Sequence, residues 1–238
     1  MAYQHLTANG EPIALPVGKV LCIGQNYQDH IAEMQSKTAA QALFFIKPST
    51  ALCAFAPGFS IPTEQGDVHN ETELAVLIAK PLKRASAAEV MEAIWGYSLA
   101  LDLTLREVQA ELKKLGRPWE IAKGFDDACP IAGFVSKTQV PHPQQLEFRL
   151  TVNGEVRQHG NSANMIRGIS QMISEMSQHF TLQPGEIVAL LGRNGSGRST
   201  TAKAIMGLVD CTGDIVWKGR QLAGLRSFEV AHAGIGYV

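Results

Sequence analysis

No run among the 238 residues approaches the ~18 to 20 consecutive apolar positions that a bilayer-spanning helix needs, and the N-terminus MAYQHLTANGEP lacks a basic stretch followed by an apolar core. A membrane protein or an exported one is therefore not expected, and a cytoplasmic setting is. Cysteine is sparse: Cys22, Cys53, Cys129 and Cys211 stand far apart and form no C-x-x-C pair. This argues against both a zinc knuckle and a disulfide framework. An excess of positive charge is missing as well, since 21 Lys and Arg face 22 Asp and Glu for a formal charge of -1. Without a long-range positive field, neither nucleic acid nor an anionic membrane is an expected partner. What remains is ordinary globular composition, 45% apolar and 18% charged, long enough for one main core with room for an appendage.

Short apolar runs punctuate the chain. Residues 19–23 (KVLCI) and 43–46 (LFFI) read as strands, and the polar residues 26–40 between them, with a short helical pattern, read as a mobile connection. Residues 71–78 (ETELAVLI) look like a buried strand, 87–94 like a helix, and 96–103 like a strand that runs into a helix over 104–115. Alternating residues on either side of Asn153-Gly154 predict a hairpin with a type I′ turn, whose two central positions both need positive φ. Apolar Met165, Ile166, Ile169, Met172, Ile173 and Met176 recur at helical spacing and predict a helix over 164–180, capped by Ser162 or Asn164.

The chemistry concentrates in acidic residues. Side chains two apart leave a strand on the same face, so Glu71 and Glu73 project together from Glu-Thr-Glu. Their apolar flanks place the pair near the interior, where unpaired charge is expensive and a bound cation would relieve the repulsion. Asp102, at the end of the apolar run 96–101, can close such a site. All-oxygen ligation suits Mg²⁺ or Mn²⁺ better than zinc, which recruits His or Cys. The same spacing would equally give an exposed, salt-bridged strand face. His30 taken alone is an ordinary surface or capping histidine, and Lys123 taken alone an ordinary solvated lysine.

Longer segments carry more information together: Gly24-Gln25-Asn26-Tyr27-Gln28-Asp29-His30 with Glu33, Phe45-Ile46-Lys47-Pro48, His69-Asn70-Glu71-Thr72-Glu73-Leu74-Ala75, Leu101-Asp102-Leu103-Thr104-Leu105-Arg106, residues 119–123 with Gly124-Phe125-Asp126, and Val152-Asn153-Gly154. Over residues 17 to 189 this set resembles the fumarylacetoacetate hydrolase family, in its small branch of acylpyruvases and oxaloacetate tautomerases. The resemblance implies an α+β fold built as a mixed β-sandwich roll with short flanking helices, in a homodimer. It implies Glu71, Glu73 and Asp102 as ligands of Mg²⁺ or Mn²⁺, and His30 with Glu33 as a catalytic dyad on a lid. It also implies Lys123 as an active-site lysine and Arg106 and Gln109 as contacts to a small 2-oxo acid. Gln25 stands where many relatives carry arginine. The expected activity is metal-dependent cleavage of a C–C bond in a 2,4-dioxo acid, with enol–keto tautomerisation or decarboxylation of oxaloacetate as the alternative.

The C-terminus departs from this pattern. After Gly185-Glu186-Ile187-Val188 the family continues into a Thr-Gly-Thr-Pro loop, whereas Leu190, Leu191 and Gly192 stand here. The segment from Gly192 through Gly197, Arg198 and Ser199 has P-loop spacing and, with the residues after it, resembles the opening of an ABC transporter ATP-binding subunit. Arg198 takes the place of the phosphate-binding lysine, whose compact charge a planar guanidinium does not reproduce. No complete ATPase is expected, because no aspartate for the nucleotide's magnesium and no ABC signature follows. The expectation is thus a catalytic domain over 1–189 and an incomplete, atypical tail over 190–238, with metal binding kept better than turnover or, at the extreme, a catalytically impaired metal-binding fold.

Overall fold

The computed structural model describes residues 3–24, 42–62, 64–191, 216–217, 220–222 and 224–232. The chain divides into two compact units, Met1–Asn194 and Gly195–Val238.

The first unit is built on a mixed eight-stranded sheet. Strands β1 (Val20–Gly24), β2 (Leu43–Lys47), β3 (Leu52–Ala54), β4 (Val68–Ile78), β5 (Ile94–Leu105), β6 (Cys129–Ile131), β7 (Val135–Ser136) and β10 (Ile187–Leu191) make it, in the order β2-β1-β10-β4-β5-β6-β3 with β7 also on β5. The β1/β10 and β3/β6 pairs are parallel and the others antiparallel. A separate hairpin joins β8 (Glu147–Val152) to β9 (Glu155–Asn161).

Both faces of the central strands are covered, which is why β4 reads as a near-continuous apolar run. Leu74, Val76 and Ile78 face one cluster with Leu21, Ile23, Val188 and Leu190, closed by Val90 of helix α1 (Ala87–Ala93) and by residues of helix α4 (Ile169–His179). Ala75 and Leu77 face the opposite cluster, with Val20, Cys22, Ala100, Cys129 and Phe134. The period of two therefore sorts β4 cleanly, and Glu71 and Glu73 fall in line with Ala75 and Leu77.

Local signals explain the boundaries. Helix α1 starts on a capping box, in which Ser86 Oγ accepts from Glu89 N–H and the Glu89 carboxylate accepts from Ser86 N–H. Helix α2 (Arg106–Lys114) follows β5 directly, and a short helix α3 (Glu120–Lys123) comes after it. The Asn153-Gly154 turn has both φ values positive, +53° and +84°, as the hairpin reading requires.

The helix expected over 164–180 is shorter than its periodicity suggested, beginning only at Ile169 with Gly168 as its cap. Of the two expected caps, Ser162 is committed elsewhere and Asn164 closes a single 3-10 turn over Ser162–Asn164. The Asn161 side chain caps that turn, and Ser162 Oγ accepts from Leu146 N–H and donates to Pro143 O. Met165 is extended, and its apolar side chain is buried without being helical.

In the second unit the described residues form a two-stranded ribbon, β11 (Val216–Trp217) with β12 (Arg220–Gln221), and a helix α5 (Ser227–His232). Among the described residues no helix is long and apolar enough to cross a membrane.

Candidate metal centre

The β4/β5 register places Glu71 directly opposite Asp102, and Glu73 opposite Ala100. Paired residues of neighbouring strands share a face, so all three carboxylates emerge on one side of the sheet. They are buried, and each offers an oxygen within 4.8 Å of the others. An exposed, salt-bridged strand face is thereby ruled out for this pair of glutamates.

The cations around the cluster are distributed unevenly. Asp102 receives two lysines: Lys123 Nζ donates to its Oδ2, and Lys47 Nζ lies 2.8 Å from its Oδ1. Lys47 is wholly buried at the end of β2, and its three protons are already directed at the carbonyls of Leu103, Ala128 and Lys123. With Asp102 Oδ1 it forms a wholly buried ion pair. Arg106, the first residue of α2, forks between Glu71 Oε1 at 2.8 Å and Gln109 Oε1 at 3.2 Å.

Glu73 has neither kind of partner: among the described residues no donor reaches either of its carboxylate oxygens, and it has no ion pair. Burial, and then the charge of Asp102, push its pKa well above the ordinary carboxylate range. Burial pushes Asp102 the same way, but the ammonium groups of Lys123 and Lys47 outweigh it and hold that carboxyl below its usual range. For Lys123, burial is outweighed by Asp102 and Glu71, so the ammonium is held in its charged form.

These observations test whether a divalent cation fits. Three converging hard oxygen donors, one of them with both oxygens unsatisfied and buried, are the donor set that Mg²⁺ or Mn²⁺ accepts. The residues fit the ion.

Lys123 also lines a cavity of about 280 Å³, together with Leu43, Phe45, Arg117, Trp119 and Glu120. The Lys123 ammonium lies 4.9 Å from the centre of the Phe45 ring, which in turn faces Trp119 at 6.3 Å. A small ligand entering there meets the lysine that touches Asp102.

The structure thus brings together Glu71, Glu73, Asp102, Lys123, Arg106 and Gln109. His30, Glu33 and Gln25 lie outside the described residues, as do Gly192, Gly197, Arg198 and Ser199 of the P-loop-spaced segment. Two residues close to the site carried no signal of their own in the sequence. Lys47 sat inside the Phe-Ile-Lys-Pro run without a role. Gln158 sits in an alternating hairpin, yet its buried amide exchanges hydrogen bonds with the Thr72 backbone, between the two glutamates.

Fold and site together define a mixed-sheet α+β protein with a buried cluster of three carboxylates that could hold a hard divalent cation. The family profile described as fumarylacetoacetate (FAA) hydrolase C-terminal matches residues 19–208, and the chain belongs to that family. The match runs through the P-loop-spaced segment as well. The oxaloacetate tautomerase of Escherichia coli K12 is 46% identical over 196 residues, covering 82% of this chain and 90% of that one. The mitochondrial oxaloacetate tautomerase of Homo sapiens is 40% identical over 169 residues, covering 71% and 76%. Among solved structures, a fumarylacetoacetate hydrolase family protein from Yersinia pestis CO92 superposes with a TM-score of 0.78 at 50% identity, covering 81% of this chain and 89% of the other. A fumarylpyruvate hydrolase from Pseudomonas aeruginosa, solved with Mn²⁺ and pyruvate, does so with 0.72 at 34% identity, covering 79% and 83%.

Proposed function

We propose that this chain is a divalent-metal-dependent oxaloacetate tautomerase, moving a proton between oxygen and carbon of a small 2-oxo acid. The observation that carries the reading is the buried Glu71–Glu73–Asp102 cluster, with both Glu73 oxygens unpaired among the described residues, beside a charged Lys123 that also lines a cavity. The similarity to two oxaloacetate tautomerases over most of their length supports this reaction ahead of C–C cleavage.

Glu71, Glu73 and Asp102 would hold Mg²⁺ or Mn²⁺. Bound there, the ion would supply a fixed positive charge for the negative charge that develops on the substrate's oxygen as enol and keto forms interconvert. The remaining work belongs to the protein. Lys123 keeps a second positive charge beside Asp102 and the cavity, where a carboxylate of the substrate would be attracted. Arg106, held between Glu71 and Gln109, presents its guanidinium at the same centre. In the conversion of enol to keto, the enol O–H bond breaks, the C=O bond forms and C3 gains a proton. We assign the carrying of that proton to His30, oriented by Glu33, on the family resemblance.

Cleavage of a 2,4-dioxo acid is the second reading, favoured by the likeness to the fumarylpyruvate hydrolase. There the same groups would direct water at the distal carbonyl. The test is to follow oxaloacetate enol–keto conversion above its spontaneous rate, beside acetylpyruvate cleavage, with Mn²⁺ and with chelator. Metal-dependent tautomerisation is expected, with a loss of about 100-fold in Glu73→Ala, the scale of removing one preorganised electrostatic contact. Faster cleavage than tautomerisation would move the chain to the hydrolase reading, and an unaffected Glu73→Ala would remove the site assignment.

A further inference from the structure

We infer that Gln158 is a positioning residue for the metal centre, holding Glu71 and Glu73 at their separation from outside the main sheet; this rests on the carboxylate centre proposed above. Between Leu150 and Thr151 the β8/β9 register breaks: Leu150 pairs with Gln158 but Thr151 pairs with Val156, so Arg157 has no opposite residue. Such a bulge twists a strand and re-aims the side chain next to it. Gln158 is the residue beside the break, and its side chain is buried rather than turned to solvent.

Its amide meets the backbone of Thr72 in both directions. Gln158 Oε1 accepts from Thr72 N–H at 2.9 Å, and Gln158 Nε2 donates to Thr72 O at 3.1 Å. Those two backbone groups belong to different peptide planes, one joining Glu71 to Thr72 and the other joining Thr72 to Glu73. Fixing both planes fixes the two Cα–Cβ directions from which the glutamates leave the strand.

The same bonds fall on the rung just past the described β10 ladder. Along β4, Ile78 N–H and O bond to the β10 side through Glu186 O and Gly185 N–H, and residues of the same parity, Val76, Leu74 and Thr72, direct their backbone groups that way. The described ladder with β10 ends at Glu73 opposite Leu191. Thr72 is the next rung, and the Gln158 amide fills it as a strand residue would. Between the two glutamates, β4 is thus held by β5 on one edge and by a side chain on the other. A hydrocarbon at position 158 would leave two buried backbone groups unpaired between the ligands.

The test uses the full-length chain, with Mn²⁺ affinity by calorimetry and metal-free melting temperature as separate readouts. Gln158→Met keeps length and apolar packing and removes both bonds. The matched control is Gln144→Met, because Gln144 makes the same two-way bridge elsewhere, donating to Ser162 O at 2.7 Å and accepting from Ile169 N–H at 3.0 Å. Both variants are expected to melt lower by similar amounts. Gln158→Met should also bind Mn²⁺ about tenfold more weakly, as for other groups that orient metal ligands, while Gln144→Met stays within about twofold of the unchanged chain. Should Gln158→Met not fold, Gln158→Glu keeps the size and the acceptor facing Thr72 N–H, and is expected to bind Mn²⁺ more weakly than the unchanged chain. Equal Mn²⁺ affinity in the Gln158 variant and the unchanged chain overturns the inference alone, as does an equal loss in Gln144→Met. No Mn²⁺ binding by the unchanged chain overturns the metal centre and this inference with it.

Discussion

At the scale of single residues, the site is governed by which carboxylate has a cation and which has not. Glu73 has no ion-pair partner among the described residues, and burial and the charge of Asp102 outweigh the more distant lysines, so its pKa rises and the metal-free carboxyl keeps its proton past the usual carboxylate range. A group raised in the folded state contributes stability that is full below its unfolded pKa and is lost as pH climbs through the folded value. Asp102 is depressed, so its contribution is present above its unfolded value and is lost as pH falls through the folded one. The metal-free chain is therefore expected to lose stability as pH falls through the Asp102 range and also as pH rises above the ordinary carboxylate range, the second loss being due to Glu73. Metal binding would need the Glu73 carboxylate, so it would release a proton, with affinity rising with pH until Glu73 is ionised. Melting curves across pH should show the loss on the rising side without metal and not show it with Mn²⁺ or in Glu73→Gln. Mn²⁺ at about 100 times its Kd should add about 2.7 kcal/mol, which is roughly 5 to 11 °C for a unit of this size. A loss on the rising side that persists in Glu73→Gln would count against Glu73 as its source. The Glu-x-Glu spacing and Asp102 could be read in the sequence. Lys47 and Gln158 could not, because only the β2 course and the hairpin's bulge bring them to residues 56 and 86 positions away.

Among the elements, β10 is the one on which the site's scaffold depends, since it lies between β1 and β4 and ends opposite Glu73. It is reached through Gly185, whose φ of +84° suits glycine, and where an added Cβ would stand 1.8 Å from Pro16 O. The N-terminal segment is tied to that turn by His5, whose Nε2 donates to Gly185 O at 2.9 Å and lies 3.1 Å from Pro16 O. Gly185→Ala therefore meets both an unfavourable φ and a backbone clash. A loss of about 3 kcal/mol is expected in urea unfolding, at the upper end of ordinary point substitutions, and a change under about 0.5 kcal/mol would show that the turn relaxes freely. The long strands β4 and β5 were legible because burial on both faces leaves an apolar run. Strands β3, β6 and β7, of three, three and two residues, carry no period to detect. The start of α4 was misread because apolar spacing at Met165 records burial, while Asn161 and Ser162 spend their side chains on a 3-10 turn and a loop.

For the whole molecule, the open relation is between the family match and the division into units. The match extends to residue 208, whereas the first compact unit ends at Asn194 and the second runs over Gly195–Val238. Every described member of the carboxylate centre, its lysines, Arg106 and Gln158 belong to the first unit. The hydrophobic clusters on both faces of the sheet are likewise made from residues up to Leu190. Within the second unit, Leu222 and Val230 are the buried apolar side chains among the described residues. Chains ending at 194 and at 208 are therefore both expected to bind Mn²⁺ within about threefold of the full chain, since binding free energy follows the folded site and its scaffold. A chain ending at 186 loses β10, which separates β1 from β4 and strips Val188 and Leu190 from the core, and it should fail to fold. Calorimetry on the three chains discriminates the alternatives: binding kept at 208 but lost at 194 would assign residues 195–208 to the metal-binding body and move the boundary of the appendage to the end of the family match.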